Sequence, residues 1–144
     1  MAEPEQLPDA VGGEIDAHCA RGDELAEVGQ YEAAIKEYNA AWERIPSPKN
    51  NWEASTWVLA AIADAAFLGG LHASAREAIE SAMICPDGLG NPFLHLRYGQ
   101  ILFDAAELPR AADELMRAYM GGGAELFAEE DSKYLHFLRT KAQL

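Results

Sequence analysis

Cysteine is nearly absent from this 144-residue chain: Cys19 and Cys85 are the only two, too few and too far apart for a disulfide framework. No apolar run is long enough to span a bilayer, which argues against a membrane role. Basic residues are scarce as well, 11 against 24 acidic ones, for a formal net charge of −13. Phosphate backbones and anionic lipid surfaces are repelled by such a chain, so neither nucleic acid nor membrane is expected as a partner; a basic protein is the natural converse. The four histidines show no HExxH or HxxEH spacing, and no glycine-rich phosphate loop or calcium loop occurs, so no metal, no cofactor and no enzymatic activity are expected. No charged-then-apolar leader opens the chain, and a reducing cytoplasm is the expected compartment. The proline-, glycine- and acid-bearing segment 1–13 lacks periodicity and reads as a disordered lead-in.

What the chain does have is 49% hydrophobic residues, enough for the core of one domain spanning 14–144. Those residues are arranged unusually. In YEAAIKEYNAAWERIP, Ala34, Tyr38 and Ala41 stand at i, i+4 and i+7, one stripe of an α-helix made of two methyl groups and a ring. The same set recurs as Ala75, Ile79 and Ala82, and again as Ala111, Leu115 and Ala118, at periods of 41 and then 36 residues. Pro46 and Pro86 stop the first two helices and the glycines 121–123 the third.

Twelve residues before each leading alanine stands another small residue, Gly22, Ala63 or Gly99, inside a helix-like segment, with breaks at Gly29, Gly70 and Ala106. Glycine within a helix costs about 0.5–1 kcal/mol relative to alanine, so Gly22 and Gly99 need a compensating reason. Close approach of two antiparallel helices supplies it, because small residues at facing positions let the backbones nest.

A small residue at the eighth position, alanine at the twentieth, a large residue at the twenty-fourth and alanine at the twenty-seventh resemble the tetratricopeptide repeat. The match is fullest in GDELAEVGQYEAAIKEYNAAWERIP. It departs in the second unit, where Ala66 replaces the usual large residue, and in the spacers SPKNNWEAST and DGLGNP, which are longer than usual and read as ordered loops. The resemblance implies an all-α fold, a right-handed α-solenoid of three helix hairpins at about 15–48, 56–88 and 92–121, with a C-terminal capping helical segment at 124–142 whose helix is capped by Asp131 or Ser132.

In that family the first helix of each pair lines a concave groove. The matching positions nominate Asp16, Asp23 and Glu27 in the first repeat, Trp57, Asp64 and Phe67 in the second, and Gln100 and Asp104 in the third, with Arg97 beside them. Such a surface repels a carboxylate and attracts lysine- or arginine-rich elements, with aromatics adding contact area. The bland alternative leaves Trp57 and Phe67 packed in the core and the acids solvating a face. A narrower resemblance, over about residues 51–138, is to small bacterial tetratricopeptide-like proteins encoded beside polymorphic toxins of the Rhs or contact-dependent type; WEASTWVLAAIADAAFLGG, GNPFLHLRYGQ and RAADELMRAYMGGGAELFAEEDSKYLHFL carry it. It implies an immunity protein that neutralises a cognate, basic toxin domain, with a general peptide-binding scaffold as the alternative.

Overall fold

A computed structural model describes residues 7–144, and the fold is all-helical, with no strand among the described residues. Among the described residues seven α-helices follow one another: α1 (Asp9–Glu27), α2 (Tyr31–Arg44), α3 (Glu53–Leu68), α4 (His72–Ala82), α5 (Pro92–Asp104), α6 (Leu108–Gly122) and α7 (Ser132–Arg139). Short 3-10 turns occupy Lys49–Asn51 and Ala124–Phe127. The chain divides into two compact units, one ending at Gly88 and the other spanning Leu89–Leu144. In the first, α1 packs on α2, α2 on α3 and α3 on α4; in the second, α5 pairs with α6, and α6 meets α7.

Small residues do hold the pairs together. Ala34, Ala41, Ala75, Ala82, Ala111 and Ala118 are all fully buried, with Tyr38, Ile79 and Leu115 between them at no more than 2% exposure. A β-carbon added at Gly22 would lie 2.5 Å from the Tyr38 ring, and one at Gly99 would lie 2.6 Å from Leu115 Cγ and 3.0 Å from its backbone nitrogen. Neither glycine can be enlarged without moving its neighbour, and Gly99 faces backbone as well as a side chain.

The three hairpin turns share one geometry. Gly29, Gly70 and Ala106 adopt φ of +79°, +77° and +62°. Each donates its N–H back to a carbonyl of the preceding helix (Ala26, Phe67 and Phe103), and the next residue reaches one carbonyl further (Gln30 to Leu25, Leu71 to Ala66, Glu107 to Leu102). That pair of bonds satisfies the orphaned carbonyls of a helix end and requires a left-handed residue, which glycine supplies at no steric cost. Ala106 pays roughly 1–2 kcal/mol for the same conformation. Ala106→Gly should therefore stabilise the protein by about 0.5–1 kcal/mol after the added flexibility of the unfolded chain is subtracted, while Gly29→Ala and Gly70→Ala should destabilise it; urea unfolding midpoints read the signs.

Two boundaries differ from the sequence reading. The lead-in 1–13 falls partly outside the described residues, but Asp9–Gly13 is the first part of α1. Leu7, Val11 and Ile15 recur every fourth position, and the first two pack against the core that holds Ile15, Tyr38 and Val58. That burial outweighs the helix cost of Gly12 and Gly13, around which there is open space. The spacer SPKNNWEAST is likewise only half loop, because α3 starts at Glu53. The Trp52 indole donates to the Pro46 carbonyl at 2.9 Å, and the Lys49 ammonium donates to the Trp42 and Ile45 carbonyls at 2.7 Å each, closing the end of α2. After Ala124–Phe127, Asp131 is the residue that caps α7, its carboxylate accepting from the Lys133 N–H at 3.0 Å.

Candidate functional site

In the first unit the nominated residues lie on two rows. On α1, Asp16, Cys19, Asp23 and Glu27 are spaced to share one face, and the three acids are exposed. On α3, Trp57, Asp64 and Phe67 recur at i, i+7 and i+10 on one stripe. The two rows meet electrostatically at Tyr38 of α2. Its hydroxyl donates to Asp23 at 2.6 Å. Burial first, then that hydrogen bond and the charge of Asp23, with Asp64 adding, push the phenol far above its ordinary range. Cys19 responds to the same field: burial raises its thiol, and Asp23 and Asp16 add to the shift, leaving a protonated, weakly nucleophilic sulfur. Asp23 is the acid common to both, and its bond to Tyr38 ties α1 to α2.

Trp57 is 69% exposed, so the indole is not a core residue. Phe67 is half-buried, its ring edge-on to His72 at a centroid distance of 5.8 Å. Along the outer edge of the α1–α2 pair, His18 Nδ1 lies 2.9 Å from Glu37, and the Arg21 guanidinium lies 3.3 Å from the same carboxylate. The His18 hydrogen bond leads in drawing the Glu37 carboxyl below its usual range, with Arg21 assisting against partial desolvation.

In the second unit the nominated residues are engaged by the chain itself. Arg97 and Gln100, at 5% and 0% exposure, both bind the Glu130 carboxylate that follows the Ala124–Phe127 turn: Arg97 donates to Glu130 and to Gln100 Oε1, the latter at 2.8 Å, and the Gln100 amide donates to Glu130 at 2.8 Å. The Arg97 guanidinium also stacks over Phe93, 4.9 Å from its centroid. Asp104 accepts from the Tyr134 hydroxyl at 3.0 Å, with the Lys133 ammonium 3.7 Å away, and Phe103 packs against the Tyr134 and Phe137 rings. Arg97, Gln100 and Asp104 are therefore the seat of α7 and its approach. No local pattern announces a pairing of Arg97 with Glu130, 33 positions away.

Two other polar features escaped the sequence reading. His95 is buried between the Glu114 carboxylate, 2.5 Å from Nδ1, and the Leu89 carbonyl, 2.6 Å from Nε2, tying the start of the second unit to α5 and α6. In the first unit a hollow of about 390 Å³ opens between α2 and α4 over α3, with Ile35, Trp42, Leu59 and Ile62 forming its apolar lining and Glu77 at its rim. Its emergence depends on how α2 and α4 splay, which no short motif encodes.

Comparison with models of known protein families finds no match, and comparison with curated proteins finds none. The chemistry must come from the residues. Among the described residues no group of histidine, cysteine and carboxylate side chains is placed to hold a metal ion, and no helix is long and apolar enough to cross a membrane. The first unit offers an exposed acidic row on α1 and an accessible indole on α3, features suited to contacting a cationic protein surface.

Proposed function

We propose that the chain is a protein-binding module of the tetratricopeptide type, acting in the cytoplasm as an immunity protein that binds and neutralises a cognate, basic bacterial toxin domain. The observation that carries the reading is the exposed acidic row Asp16, Asp23 and Glu27 on α1, tied to α2 where Tyr38 donates to Asp23 at 2.6 Å, together with the exposed indole of Trp57 on α3. The net charge of −13 works in the same direction over a longer range. The immunity role itself rests on the resemblance of residues 51–138 to proteins encoded beside polymorphic toxins.

Physically, the acids would steer a basic domain into encounter and fix its register, while desolvated aromatic contacts would slow its escape. Blocking follows if the toxin's own cationic surface, needed for its substrate, is the surface covered. Asp16, Asp23, Glu27, Trp57, Asp64 and Phe67 are the residues assigned to the contact. Arg97, Gln100 and Asp104 already hold Glu130 and α7.

The test is co-expression. If a large secreted protein is encoded beside this chain, its terminal domain should kill the host when expressed alone and be tolerated when this chain accompanies it. Charge reversal to lysine at Asp16, Asp23 and Asp64 should abolish protection while circular dichroism stays helical. Protection that survives all three reversals would remove the face from the proposal. Capture of many unrelated peptides with no cognate domain would favour a general scaffold.

A further inference from the structure

We infer that the hollow between α2 and α4 docks a short extended segment of a basic protein, which seats an aromatic or branched aliphatic side chain over α3 and sets a lysine or arginine against Glu77. The inference rests on the protein-binding reading above and adds a contact that does not use the acidic row of α1.

The hollow has three unlike sides. Ile35, Asn39 and Trp42 recur at i, i+4 and i+7 along α2, and Ser74, Ala78 and Ser81 do so along α4, so each wall runs for about 10 Å, the span of about three extended residues. One wall is bulky and the other short. The bottom is closed by Leu59 and Ile62 of α3, which packs on both helices. The serines and the alanine of α4 are what leave the space open. At about 390 Å³ it has room for roughly a dozen water molecules of about 30 Å³ each. Water over an apolar floor is better placed in bulk, so an apolar side chain is the favoured occupant.

Charge selects the rest of the segment. Glu77 is the charged residue of the lining; it is exposed and has no ion-pair partner among the described residues. Its neighbour Arg76 pairs with Glu80 at 3.7 Å. Lys49, 5.2 Å from the centroid of the Trp42 ring, is held by the Trp42 and Ile45 carbonyls, and Lys36 follows Ile35 without lining the hollow. Asn39, Ser74 and Ser81 can pair with the backbone of an extended segment, whereas the Glu77 carboxylate only accepts. An acidic segment is repelled by Glu77 and by the net charge of −13, and a basic one is attracted by both.

The probe is a tripeptide with tryptophan between two lysines, blocked at both ends, titrated against the full-length protein and followed by proton–nitrogen NMR. Two controls carry serine in place of the tryptophan or glutamate in place of both lysines. The probe should shift the Trp42 indole and the Ser74 and Ser81 amides saturably, and bind roughly fivefold more tightly than either control. Ser81→Phe, which fills the hollow from α4, should abolish those shifts. Glu77→Lys, at an exposed position, should remove the preference for lysine over glutamate. Equal affinity for the tryptophan and serine peptides, shifts centred on Trp57 instead of the hollow, shifts indifferent to both substitutions, or no saturation at millimolar concentration would each overturn the inference. Co-expression decides the protein-binding reading without involving this hollow, so the two can fail separately.

Discussion

Gly99→Val is expected to destabilise the second unit by about 3 kcal/mol, the upper range for forcing extra carbons into a packed interface. Gly99→Ala should cost about 1–2 kcal/mol, against the usual gain of 0.5–1 kcal/mol for that exchange in a helix. The sign is the informative part. The new β-carbon would lie 2.6 Å from Leu115 Cγ, which a rotamer change could relieve, but also 3.0 Å from the Leu115 nitrogen, which only a shift of α6 could relieve. Leu115→Ala alone should cost about 2–5 kcal/mol as a cavity mutation, Leu115 being fully buried. Combined with Gly99→Ala it should cost less than the sum, because the added methyl enters the space vacated. Urea unfolding of the four proteins in this cycle gives the coupling directly. Additive losses would mean that the glycine is there for another reason.

Glu130→Ala should cost about 3 kcal/mol of stability by removing the carboxylate that buried Arg97 and Gln100 share. Arg97 keeps, among its contacts, the Gln100 carbonyl and the Phe93 ring, which limits the loss. Glu130 also receives the Gln100 amide, so its removal leaves a second buried donor unmatched. Because Glu130 directly precedes the capped start of α7, faster amide exchange through Ser132–Arg139 should accompany the loss. A loss under about 1 kcal/mol, the size expected of an exposed ion pair, would contradict this reading of Glu130.

Period and side-chain size made the hairpins legible. The recurrence of Ala34, Tyr38 and Ala41 at Ala75, Ile79 and Ala82 and at Ala111, Leu115 and Ala118 is a local pattern with one geometric solution, and the burial of all nine follows it. Gly29 and Gly70 announced their turns by type, and Ala106 did so only by its place in the repeat. The start of α1 was obscured because the glycines at 12 and 13 are local signals, whereas the packing of Leu7 and Val11 on the Ile15 core is a tertiary one.

The candidate site was legible unevenly for the same reason. Asp16, Asp23 and Glu27 recur along one helix face, so their common direction could be read from spacing. That Tyr38 donates to Asp23 and also feels Asp64 depends on how α1, α2 and α3 pack. Arg97, Gln100 and Asp104 occupy corresponding positions in the third repeat, yet they are met by Glu130, Lys133 and Tyr134 from beyond α6. A repeat pattern assigns a row of side chains without saying whether the chain will later fold back over it.

The central claim is that negative charge on the α1–α3 face captures a basic protein, and the measurement that meets it most directly is calorimetric titration of the cognate domain at two salt concentrations. Wild-type protein should bind one to one with an affinity that falls as salt rises, and lysine at positions 16, 23 and 64 should weaken binding at least 100-fold and flatten that salt dependence. Equal affinity and equal salt dependence for the two proteins would contradict the account.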